Sequence, residues 1–284
     1  MKRRASTILL IAILLAGLSL LLYPSFSDWW NSFHQSQAVS TYMEAVTDLS
    51  NDEYRKIWED ARAYNAELAS HPTNYMLTIE ETEIYNRMLN VSGDGVMGYV
   101  EIPRVNVKLP IYHGTDENTL QVAVGHIAGS SLPTGGPGTH CVISGHRGLP
   151  RARLFTDIDK LVTGDTFTLN ILDEVLTYEV DQIRIVLPNE LENLSIEEGK
   201  DYCTLVTCTP YGVNTHRLLV RGHRVETKQT HAVRVTADAL QIEPVLVALA
   251  IAVPLLLILI TAVLISTRIE RKRNHRRGTK SDEK

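Results

Sequence analysis

The hydrophobic and polar positions of the chain change pattern four times. Residues 8–23 are a run dominated by Ile, Leu, Ala and Gly with no charge. Such a run is a cleaved signal peptide or an uncleaved anchor. No small-x-small cleavage site follows it, and the next residues, Tyr23-Pro-Ser-Phe-Ser-Asp-Trp-Trp, carry aromatics suited to a membrane interface, so the expectation is an anchor. Across residues 36–70 a helical period takes over. Tyr42, Ala45, Val46 and Leu49, then Tyr54, Ile57, Trp58 and Ala61, recur at i, i+3, i+4 and i+7. Between the two sets, Ser50-Asn-Asp-Glu53 has capping-box spacing, which predicts that a second amphipathic helix starts there. An irregular stretch, Ala69-Ser-His-Pro-Thr-Asn-Tyr-Met, precedes a shorter helical pattern over 80–89.

From Gly95 the period becomes two. Met97-Gly-Tyr-Val-Glu-Ile-Pro, Val105-Asn-Val-Lys-Leu-Pro-Ile-Tyr, Thr139-His-Cys-Val-Ile-Ser, Thr166-Phe-Thr-Leu-Asn-Ile and Leu176-Thr-Tyr-Glu-Val-Asp-Gln-Ile-Arg-Ile alternate, with turn residues between them. Short strands at this spacing predict a closed or nearly closed β-barrel. Residues 129–138, rich in Gly, Ser and Pro, read as a loop. A second uncharged run, 245–266, is long enough at about 20 residues to cross a bilayer despite Pro254.

Charge adds orientation. The net charge of −5 over 284 residues gives no sign of nucleic-acid binding. The basic residues are nevertheless uneven: Lys2, Arg3 and Arg4 precede the first run, and Arg268, Arg271, Lys272, Arg273, Arg276 and Arg277 follow the second. Positive residues stay on the cytoplasmic side, so both termini are expected there and the region between the runs outside. The expected organisation is a basic cytoplasmic N-terminus (1–7), a transmembrane anchor or signal peptide (8–23), helices and a candidate lid (24–92), a β-barrel (93–225), a linker (226–244), a transmembrane helix (245–266) and a basic cytoplasmic tail (267–284). The fold class is mainly β, a closed barrel with N-terminal helices and two flanking transmembrane helices.

The candidate chemistry lies in 202–221. Thr204-Leu-Val-Thr-Cys208 reads as a strand, Pro210, Gly212 and Asn214 supply turn chemistry, and Arg217-Leu-Leu-Val resumes a strand. In such a hairpin Cys208 and Arg217 face each other. A guanidinium favours a thiolate and can hold an anionic oxygen. Against this stands the commoner use of a free cysteine as a small buried hydrophobe. The other cysteines are Cys141 and Cys203. Cys203 and Cys208 on one strand lie roughly 16 Å apart, too far to bridge, whereas pairing of Cys141 with either stays open. A cysteine nucleophile needs a histidine brought close by the fold. His146, just past an apolar strand in a glycine-flanked loop, is the first candidate, with His140 and His126 as rivals; His216 faces away from Arg217. The Cys and His spacings are not those of a zinc site, so no metal is expected.

Thr204-Leu-Val-Thr-Cys-Thr-Pro-Tyr-Gly-Val-Asn-Thr-His-Arg-Leu-Leu-Val-Arg-Gly resembles the active-site strand pair of sortases, the cysteine transpeptidases of Gram-positive cell surfaces. Gly93-Asp-Gly-Val-Met-Gly-Tyr-Val-Glu-Ile-Pro, Leu109-Pro-Ile-Tyr-His-Gly-Thr, Gly125-His, Gly129-Ser-Ser-Leu-Pro and Ser144-Gly-His-Arg-Gly-Leu-Pro resemble the class C, pilus-assembling branch. The resemblance makes 93–225 a sortase catalytic barrel, extracytoplasmic and anchored to the cell membrane by the flanking spans. It implies Cys208 as nucleophile, His146 as acid/base partner and Arg217 as the arginine that stabilises the transition state or binds substrate, without a cofactor. Thr207 becomes a candidate for orienting substrate, with packing as the alternative. The implied substrates are pilins with LPXTG-like sorting signals, joined to a pilin lysine amine. Class C sortases commonly carry a lid with an Asp-Pro-aromatic motif; the matching region reads Ser70-His-Pro-Thr-Asn-Tyr, lacking the aspartate and the adjacent aromatic. His71, Pro72 and Tyr75 are the lid candidates that remain. A membrane-anchored thiol protease and a non-catalytic surface scaffold or adhesin are the competing readings.

Overall fold

The structure, a computed structural model, describes residues 2–71, 73–149, 152–227 and Thr261. Residues from Phe26 to Gln229 form one compact unit, separate from the unit that contains the N-terminal residues to Ser25. The first helix, α1 (Lys2–Thr47), continues through Pro24, so the apolar run and the first amphipathic helix are one element rather than two. A proline withholds one backbone donor, a loss that long apolar helices tolerate. Among the described residues this is the one helix long and apolar enough to cross a membrane. The second span expected at 245–266 and the tail 267–284 lie outside the described residues.

Helix α2 (Asn51–Ala69) starts with the expected capping box: Ser50 N donates to Glu53 Oε2 at 3.0 Å, and Glu53 N donates to Ser50 Oγ at 3.3 Å. Its buried residues are Trp58, Ala61 and Asn65, the face that the helical period marked. A short helix, α3 (Ile79–Tyr85), follows with a second capping box from Thr78 and Glu81.

The remaining elements are β1 (Val96–Ile102), β2 (Val107–His113), α4 (Glu117–Val122), β3 (Val124–His126), β4 (Thr139–Ser144), β5 (Thr166–Ile171), β6 (Glu174–Val186), β7 (Asp201–Thr209) and β8 (His216–Val225). The strands close a barrel in the order β1-β2-β3-β4-β7-β8-β6-β5, with β5 pairing back onto β1. Most pairs are antiparallel; β2 with β3 and β4 with β7 are parallel. The closed barrel matches the expectation. The strand that sequence did not mark is β3, whose three residues are too few to show a period.

The barrel is filled by alternate strand residues, among them Val100, Ile111, Ile143, Leu169, Leu205 and Val220. Burying each such side chain contributes about 1.5–3 kcal/mol. Two polar clamps fix the helices to it. Tyr42 of α1 donates from Oη to Met97 O at 2.9 Å and accepts from Leu172 N at 2.7 Å. Asn65 of α2 donates from Nδ2 to Leu132 O at 3.0 Å and to Thr134 Oγ1 at 2.8 Å, and accepts from Leu132 N at 2.7 Å. The loop after β3 is thereby held by both edges of one buried amide.

Candidate functional site

Cys208 and Arg217 are register partners across the antiparallel pair β7 and β8. Cys203 and Leu205, with Leu218 and Val220, point into the barrel, so the alternate positions Val206 and Cys208, with Leu219 and Arg217, face outward. Cys208 is partly exposed and unbridged. Arg217 donates from Nη1 to Asn214 O at 3.2 Å and to His216 O at 3.1 Å, which ties its guanidinium to the turn before β8. Asn214 accepts the left-handed backbone that this turn needs, at φ 61°.

His146 arrives from the neighbouring parallel strand. The last pair of β4 and β7 is Ser144 with Val206, and Gly145 N then donates to Val206 O at 3.0 Å. Thr207, buried with its hydroxyl inward, donates from Oγ1 to Gly145 O at 2.8 Å. Each of the two residues lies two positions past that last pair, His146 after Ser144 and Cys208 after Val206. The imidazole is half-buried, with Nε2 4.0 Å from Glu117 Oε2 on α4. Thr207 thus ties β7 to the residue before His146.

The rival histidines are placed otherwise. His126 is buried, with Nδ1 2.9 Å from Tyr85 Oη and Nε2 2.8 Å from Ser131 O. His140 is also buried; Nδ1 donates to Ser195 O at 2.9 Å, so Nε2 accepts from Thr204 Oγ1 at 2.7 Å. Burial holds the His140 imidazole below its ordinary pKa, in the neutral form.

Below Cys208 on the outer face, Val142, Val186, Leu194, Val206 and Leu219 form an apolar strip, against which Tyr75 and Ile127 pack. Tyr75 donates from Oη to Leu194 O at 3.0 Å. Burial pushes its phenol up to about 12, so it stays a donor at neutral pH. Its seat depends on Gly129, which has φ +88° and on which a Cβ would meet Asn74 O and lie 2.9 Å from Tyr75 Cα. Of the other lid candidates, His71 bonds through Nδ1 with Glu67 O at 3.0 Å and with Ser70 Oγ at 2.9 Å, closing the end of α2. Pro72 lies outside the described residues.

Two residues at the site carried no sequence signal. Glu117 reaches His146 from a helix that starts 29 residues earlier. Arg147 pairs with Asp159, donates from Nη1 to Thr209 Oγ1 at 3.5 Å and lies 5.9 Å from the Tyr211 ring centroid, bracing the segment after Cys208. Neither spacing is local, so no window of sequence contains the pair. Among the described residues no group of three or more metal-ligating side chains forms.

The Sortase domain family matches residues 100–225. Sortase D of Bacillus subtilis is 32% identical over 131 residues, which are 45% of this chain and 63% of that protein, so the chain spans less than two thirds of that relative. Among solved structures, sortase C1 from Streptococcus agalactiae is 53% identical, with a TM-score of 0.66, and the match covers 68% of this chain and 100% of that one. Sortase C of Clostridium perfringens, solved with a C-terminal cell wall sorting motif, is 42% identical, with a TM-score of 0.58 and coverage of 67% of this chain and 99% of that one.

Proposed function

This chain belongs to the sortase family, and from that premise we propose that it is a cysteine transpeptidase that cuts an LPXTG-like sorting signal and transfers the acyl group to a lysine amine of a pilin subunit. The observation that carries the reading is the set Cys208, Arg217 and His146. A thiol and a guanidinium are on register partners of β7 and β8, and the loop that leaves the adjacent parallel strand β4 carries an imidazole two residues past its last paired residue.

The chemistry follows from that set. The Cys208 thiolate attacks the threonine carbonyl of the sorting signal. Arg217 holds the oxyanion that develops, a contribution of the kind worth about 3–4 kcal/mol in barrier. His146, as imidazolium, protonates the departing glycine amine, and the enzyme is left as a thioester. The lysine amine then attacks the thioester, His146 takes its proton, and an isopeptide bond forms as the thiolate is released. Proximity does much of the work, since two substrates meet one oriented site in sequence. The apolar strip from Val142 to Leu219 is the seat for the leucine and proline of the signal. Tyr75, packed on the same strip, acts as the lid in place of the missing Asp-Pro-aromatic motif.

In this reading the barrel works outside the cell, held by α1 and by the second span at 245–266, with both termini cytoplasmic. The test uses the full chain in detergent with a sorting-signal peptide. A mass increase on Cys208 equal to the acyl fragment, converted to an isopeptide product on adding a lysine-bearing pilin peptide, is the expected result. Hydrolysis alone at saturating amine points to the thiol protease. A folded protein that never forms the adduct points to the scaffold.

A further inference from the structure

Cys141 and Cys203 are not used by the chemistry above, yet the fold sets them side by side. They are register partners on the parallel strands β4 and β7. Both side chains belong to the barrel interior, with relative exposures of 2% and 0%, and each is among the groups that act on the other's ionisation. Neighbouring strands run about 4.7–4.9 Å apart, inside the roughly 4.4–6.8 Å range of Cα separations that a disulfide spans. Side chains of register partners leave the sheet on the same face, so both thiols already point towards each other's side. We propose that Cys141 and Cys203 are a modification site, a thiol pair that a low-molecular-weight disulfide oxidises to an internal disulfide stapling β4 to β7.

The environment supplies an order of events. Burial pushes the Cys203 thiol up. Burial opposes ionisation of Cys141 as well, but the neighbouring Cys203 and His126 draw it down. With Cys141 taken as the thiolate that attacks first, the exchange runs in two displacements. Cys141 displaces one thiolate from the small disulfide and forms a mixed disulfide. Cys203 gives up its proton, attacks the Cys141 sulfur and displaces the second thiolate. The two protein thiols lose two electrons and two protons, and the oxidant leaves as two small thiols. Exchange takes place before the barrel closes or through local opening, because neither sulfur is accessible in the closed state.

The position of the staple gives it a consequence for the site. Cys141 precedes His146 by five residues, and Cys203 precedes Cys208 by five, so the bond would join the two strands at the same distance below both reacting groups. It would fix the β4 to β7 register on which the alignment of His146 with Cys208 depends. It would also remove the two thiols with which Cys208 can scramble.

The experiment is independent of catalytic activity. The reduced full chain in detergent is incubated with oxidised glutathione at a urea concentration that admits local opening, alkylated with iodoacetamide in strong denaturant, and digested without reductant. The expected result is a cross-linked peptide pair containing Cys141 and Cys203, lighter by two hydrogens, with alkylation confined to Cys208. The same cross-link is expected in Cys208→Ala. Alkylation of all three cysteines, or bridges that include Cys208, would overturn the proposal. For the oxidised protein, adding reductant should lower Tm by about 5–15 °C and should leave the Cys141→Val/Cys203→Val variant unmoved; an equal shift in both would also overturn it.

Discussion

Thr207 donates its hydroxyl to the carbonyl of Gly145 at 2.8 Å, and the residues that follow these two in the chain are Cys208 and His146. One buried hydrogen bond therefore links the residues that precede the proposed nucleophile and its proposed acid/base partner. Thr207→Val keeps the shape and removes the donor. The expected outcome is a fall in kcat of about 10- to 100-fold with KM little changed, because a small misplacement of reacting groups costs up to about 10²-fold. Thr207→Ser, which keeps the hydroxyl, should restore most of the rate in a peptide transpeptidation assay. A rise in KM at constant kcat would instead assign Thr207 to substrate binding.

Arg217 holds its place through carbonyls of the turn, so its guanidinium is presented to whatever charge develops beside Cys208. Arg217→Lys keeps the charge and loses the planar fork. We expect kcat to fall by about 10²–10³-fold, while stability changes by less than about 0.5 kcal/mol, as for substitutions away from the core. Steady-state kinetics and a thermal melt on the same preparation separate the two; a lysine variant of near-normal rate would sink the oxyanion role.

Tyr75 covers the apolar strip below the nucleophile, and Gly129 makes room for it. Tyr75→Phe loses one hydrogen bond, worth about 0.5–1.5 kcal/mol, so the rate at which iodoacetamide labels Cys208 should rise by up to about tenfold. Tyr75→Ala and Gly129→Ala, which remove or displace the cover, should raise it further. Equal labelling rates in all four proteins would mean that the segment does not restrict access.

His140 is buried and His113 half-buried, both with imidazoles held below their ordinary pKa, burial being the main cause in each. At pH values below about 6.5 the unfolded chain binds protons that the folded chain refuses, so stability rises with pH there. It should be intact above that value and fall as pH drops through it towards the folded-state pKa values. Urea unfolding between pH 5 and pH 7.5 measures the slope. In His140→Gln the slope should be shallower, and an unchanged slope would place the titration elsewhere.

Much of this arrangement was legible in the sequence, and the limits have a physical origin. Alternation and turn residues are local signals, so the strands, the hairpin and the opposition of Cys208 and Arg217 were readable directly. Which histidine is the proposed partner of Cys208 was not readable from the residues themselves. His126, His140 and His146 all lie near strand ends, and only the parallel pairing of β4 with β7 distinguishes them. Resemblance supplied His146 where periodicity left three options. The same holds for Tyr75, whose reach depends on a missing side chain at Gly129, and for Glu117, which meets His146 across the β3 strand that three residues could not announce. Pro24 does not interrupt the first helix: a local breaker is outvoted by a helix long enough to absorb it.

The parallel neighbours β4 and β7 are separated by about sixty residues of chain, since Thr207 and Gly145 are 62 apart in sequence. Parallel strands cannot be zipped by a turn; they wait until everything between them has found its place. Here β5 and β6 lie between them in the chain, and β8 pairs with β6 as well as with β7. Non-local contacts of this kind form late and slowly. An emerging chain therefore carries its thiol for some time without the imidazole at its side, and reactivity is delayed until the barrel is whole.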